Sequence, residues 1–61
     1  MSKRAIVHTI EGVKLDYSLD AEIKLYRKNK KVLVTELLKG DYIEHDKKPF
    51  RVIKTVIEIH V

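Results

Sequence analysis

From Asp41 to Val61 the chain reads as strand, tight turn, strand, and no other stretch limits the fold as strongly. Asp41 to His45 forms the first arm. The turn is Asp46-Lys47-Lys48-Pro49, rich in the residue types that end strands. In the second arm Phe50 and Val52 alternate with Arg51, and then the phase slips. Ile53, Thr55, Ile57, Ile59 and Val61 share one face, opposite Lys54, Val56, Glu58 and His60. Two adjacent apolar residues, Val52-Ile53, mark the slip and predict a bulge, the device by which a long strand bends.

The same period of two appears near the amino terminus. Ala5 to Ile10 alternates Ile6, His8 and Ile10 against Ala5, Val7 and Thr9. Glu11-Gly12 supplies a turn, and Val13, Leu15, Tyr17 and Leu19 then alternate with Lys14, Asp16, Ser18 and Asp20. This is the pattern of a half-buried strand. Isoleucine and valine occur seven times each, against six leucines, which favours pleated sheet because β-branched side chains have little χ1 freedom to lose there.

Residues 20–39 are open to two readings. As strand, Ile23 and Leu25 alternate with Glu22, Lys24 and Tyr26, a turn follows at Lys28-Asn29-Lys30, and Val32 to Thr35 returns. As helix, Asp20 would be an N-cap and Gly40 a C′ residue. Strand is preferred, with a short helix within 20–29 or 35–39 as the alternative. The expected fold is all-β, with residues 1–61 as one domain. Five or six short antiparallel strands would form a small barrel or meander of SH3-like or OB-like type.

The stretch Lys39-Gly40, Ile43, Lys48-Pro49-Phe50 and Val52 resembles the SH3-like amino-terminal barrel of elongation factor P and its eukaryotic relatives. The resemblance implies an SH3-like barrel. Lys47 stands where that family usually has glycine, and the lysine-bearing tip loop that follows in the family has no counterpart before Val61. No translation-factor role is therefore carried over.

Chemistry is sparse. The only glycines are Gly12 and Gly40, so no phosphate-cradling loop is present. Neither Ser2 nor Ser18 has the surroundings of a catalytic nucleophile. Cysteine is absent, and His8, His45 and His60 lack ligand spacing, so no metal site, catalytic group or cofactor is expected. With 13 basic and 9 acidic residues the net charge is +4, which favours polyanionic partners without requiring them. No apolar run reaches the roughly 20 residues that span a bilayer. A cytoplasmic protein without a membrane partner is the default expectation.

Two interaction surfaces suggest themselves. If the strands follow one another as a simple meander, the turns near residues 11, 29 and 47 share one end of the sheet. Arg27, Lys28, Lys30, Lys31, Lys47 and Lys48 would then form a basic rim for nucleic acid or an acidic protein surface, with Tyr26, Tyr42 and Phe50 beside it to stack bases. Solvated lysine turns, with Tyr17 and Phe50 in the core, are the ordinary alternative. The second surface is the terminal strand, where Ile53, Ile57, Ile59 and Val61 suit a homo-oligomer interface. That would make the chain an oligomeric adaptor or inhibitor, of the kind that phages encode.

Overall fold

The computed structural model describes residues 2–60 and contains six antiparallel strands. They are β1 (Ser2–Thr9), β2 (Lys14–Ser18), β3 (Glu22–Leu25), β4 (Lys31–Leu33), β5 (Tyr42–His45) and β6 (Lys48–His60). A single 3₁₀ turn, Val34–Glu36, follows β4 and is the one helical element among the described residues. The all-β expectation holds. Residues 22–25 are strand, whereas the strand expected over Val32 to Thr35 ends at Leu33 and gives way to the 3₁₀ turn, which reaches into residues 35–39 only as far as Glu36.

Each turn has a local cause. Gly12, at φ +84°, closes the β1–β2 hairpin, with its N–H donating to the Thr9 carbonyl. Asp46 and Lys47 both take positive φ, 53° and 63°, which makes the β5–β6 connection a two-residue type I′ turn. The turn is thus tighter than the sequence suggested, and Pro49 lies inside β6 opposite Glu44. There β6 has β5 on one flank only, so the missing proline N–H breaks no second ladder.

The strand order is β2-β1-β6-β5-β3-β4. The sheet is antiparallel and meander-like, as expected, but it is not a strict succession of neighbours: β1 lies beside β6, which separates β2 from β3. The SH3-like or OB-like barrel is corrected outright. The sheet is open, ending at β2 and β4, which have no pairing with each other among the described residues. Closure would need two edges long enough to pair, and β4 has only three residues. The elongation factor P resemblance therefore reaches a strand-turn-strand unit and not the fold.

β6 joins the halves. Its first residues, Lys48 to Arg51, pair with β5, and Val52 to His60 pair with β1. The register slips where predicted. His8 faces Lys54 and Thr9 faces Val52, leaving Ile53 as the extra, bulged residue. Beyond the bulge, the flank of β6 away from β1 has no strand partner among the described residues.

The core draws on both halves. Ala5 and Val7 of β1, Leu15 of β2, Ile23 of β3, Val34 and Leu37 around the 3₁₀ turn, Ile43 of β5 and Val52 of β6 form one buried cluster. Tyr17, Leu19 and Phe50 pack against it, so Phe50 belongs to the core. The sheet twists sharply enough for the Tyr17 hydroxyl on β2 to lie 2.6 Å from His45 Nδ1 on β5, three strands along. In a flat sheet three strand spacings would hold them about 14 Å apart.

Two stability predictions arise here. The Tyr17 hydroxyl shares a hydrogen bond with His45 Nδ1, and burial pushes the Tyr17 pKa above its ordinary 10.0. A raised native pKa favours the neutral phenol in the folded chain. Its contribution is complete below pH 10.0 and is lost as pH rises through the raised native value. Tyr17→Phe should lower stability at pH 7 by about 1 kcal/mol and flatten the alkaline decline, as read by urea titrations at several pH values. The second concerns Thr55, whose Oγ1 is buried without a hydrogen-bond partner among the described residues. Thr55→Val keeps the shape and removes the stranded hydroxyl. The urea midpoint should rise by the equivalent of about 1 kcal/mol, and a fall would show that the hydroxyl is satisfied in solution.

Candidate nucleic-acid interface

β3, β5 and the start of β6 build one exposed face by alternation. Ile43 turns into the core, so its neighbours Tyr42 and Glu44 turn outward. The register then places Arg51 opposite Tyr42, and Lys24 opposite Glu44. Tyr26 continues β3 past its end, its N–H donating to the Tyr42 carbonyl at 2.8 Å. Two tyrosines that are 16 residues apart in the chain thus become neighbours.

Their rings lie 5.3 Å apart, tilted by 39°. Arg27 sits over Tyr26 at 5.4 Å from the ring centroid, and Arg51 over Tyr42 at 5.0 Å. The result is a cation–aromatic–aromatic–cation row across the face, with Tyr42 and both arginines exposed. At the Arg27 end a surface hollow of about 270 Å³ is lined by Lys24, Tyr26, Arg27, Lys28, Asn29 and Glu44. Glu44 is the negative group in it, 3.6 Å from Lys24. Arg27, Lys28 and Asn29 come from the β3–β4 turn, which the positive φ of Arg27, 61°, helps to form.

The proposed basic rim divides. Tyr26, Arg27 and Lys28 lie at the row, and Lys31 lies opposite Lys24 on the same face. The Lys30 carbonyl accepts from the Leu25 N–H, which puts Lys30 at a register position one step out of phase with Lys31. Lys47 and Lys48 lie at the other end of β5, beside His45, because β3 ends where β5 begins. The four-residue length of β5, about 13 Å at strand rise, separates the two basic turns. Tyr42, expected beside the rim, lies on this face, and Lys24 and Arg51, which the rim did not include, complete it. Only the pairing of β3 with β5 and β5 with β6 brings them to it.

The terminal-strand residues Ile53, Ile57 and Ile59 are exposed, and Val61 lies outside the described residues. Among the described residues no group of three or more potential metal ligands converges, and no helix is long and apolar enough to cross a membrane. No protein-family model, curated protein or solved structure matches this chain. The molecule is a small all-β domain with a charged surface, of a kind consistent with a binding module.

Proposed function

We propose that this chain is a non-enzymatic module that binds single-stranded nucleic acid on the β3–β5–β6 face. The observation that carries the reading is the row Arg27–Tyr26–Tyr42–Arg51 on an exposed sheet surface. Aromatic faces stack on any base, and arginines beside them add cation–π attraction and phosphate neutralisation. Lys28 and Lys31 extend the positive charge along one side, where a phosphate backbone would run. A duplex hides its base faces, so this chemistry selects unpaired strands. It reads no sequence, because stacking and phosphate contact carry little base information.

Fluorescence anisotropy with labelled oligonucleotides tests this. Single strands should bind more tightly than duplex of the same length. For about four phosphate contacts, log affinity should fall with log salt at a slope near −3, and Lys28→Glu should make it shallower by about 0.7. Absence of single-strand binding at about 50 mM salt, where phosphate contacts are strong, would sink the proposal.

A further inference from the structure

The unpaired flank of β6 supplies a second surface, independent of the tyrosine face. The true edges of the sheet are short, five residues in β2 and three in β4. The open flank of β6 beyond the bulge runs from Ile53 to His60 and is longer than either. It carries three exposed isoleucines, Ile53, Ile57 and Ile59. A long apolar flank with free backbone groups recruits another strand.

The side chains indicate which strand it is. Across from Ala5, which is buried, Ile57 lies on the core side of β6. Alternation puts Thr55 and Ile59 there too, with Lys54, Val56 and Glu58 on the opposite side. Paired residues in an antiparallel ladder share a face, so a two-fold self-pairing must be centred on a residue. Centred on Thr55, Lys54 meets Val56. Centred on Ile57, Lys54 meets His60 and Val56 meets Glu58. Centred on Val56, Lys54 of each copy meets Glu58 of the other, Thr55 meets Ile57, and Ile53 meets Ile59. Only this last register joins opposite charges twice and covers all three isoleucines at once.

We propose that two copies of this chain pair antiparallel through Ile53–Ile59 of β6, with Val56 on the two-fold axis, forming one continuous twelve-stranded sheet. The charge pattern makes the strand complementary to itself, and Lys54 and Glu58 are both exposed in the single chain. Glu58 already lies 3.2 Å from His60 on its own strand and is paired with Arg4 of β1. Lys54 of the second copy adds a cation to that carboxylate.

Sedimentation equilibrium over a range of concentrations tests the dimer, with far-UV circular dichroism confirming that each variant is folded. The wild type should reach twice the 7.2 kDa of one chain. Lys54→Glu and Glu58→Lys, each placing like charges opposite one another twice, should each weaken the dimer at least tenfold. The double variant Lys54→Glu/Glu58→Lys should recover most of that loss relative to Glu58→Lys, because both share the like-charge conflict that Glu58→Lys creates with Arg4 within the chain. A wild type that stays at 7.2 kDa, a species heavier than the dimer, or a dimer indifferent to both single changes overturns the proposal.

Discussion

Ile43→Ala should destabilise the chain by about 2–5 kcal/mol, read as a shift of the urea midpoint by circular dichroism. Ile43 is fully buried at the middle of the core cluster, on the short strand between β6 and β3. Truncation removes its apolar contacts and leaves a cavity that short flanking strands can close only by moving. At about 0.05–0.15 kcal/mol per residue, a chain of 61 residues has a total stability of about 3–9 kcal/mol. The substitution therefore removes much of what holds the fold, and a substantial unfolded fraction at 37 °C is expected. A loss below about 1 kcal/mol would mean that Ile43 does not occupy a packed interior.

Tyr42→Ala should weaken single-strand binding about 5- to 150-fold, the 1–3 kcal/mol that one aromatic–base stack contributes. Tyr42 suits this test because it is 40% exposed, so its removal costs the fold little. Tyr42→Phe keeps the ring and should retain most of the affinity. Tyr26→Ala moves binding in the same direction, but Tyr26 is half-buried, so its stability must be measured alongside. An unchanged dissociation constant for folded Tyr42→Ala would remove base stacking from the account and leave only charge.

The opened-out architecture shows where local reading stops. The alternation in Val13 to Leu19 correctly assigned Leu15 and Tyr17 to the inward side of β2, and Leu19, just past its end, to the core. It missed Val13, which is exposed just before the strand begins. The double apolar step at Val52-Ile53 located the bulge, since two same-side residues in succession cannot both follow a regular pleat. Lys47, at the position where glycine would be usual, adopts the positive φ that glycine favours. That local conformation is shared with many hairpins, which is why it suggested a barrel that does not form.

The interface was half legible. Tyr26, Arg27, Lys28 and Lys31 stand close together in the chain, and their clustering near one turn needed no structure to be seen. Arg51 was invisible as a site residue because its partner, Tyr42, is set by the β5–β6 register. Lys47 and Lys48 were grouped with the first turn for the opposite reason. A strict succession of neighbouring strands would bring those turns to one end, and the actual order places β3 antiparallel beside β5 with their turns at opposite ends.

The residue pattern alone indicated that β1, β2, β5 and β6 are extended, which side of β2 faces inward, and where β6 must kink; it left residues 20–39 between strand and helix. These follow from side-chain volume, β-branching and turn chemistry acting over a few residues. It took the assembled fold to decide that β6 divides between β5 and β1, that the sheet stays open, and that Tyr26 and Tyr42 become neighbours. Strand partners are chosen by burial summed over the whole core, against the entropy of closing long loops, and no single stretch of the chain contains that sum.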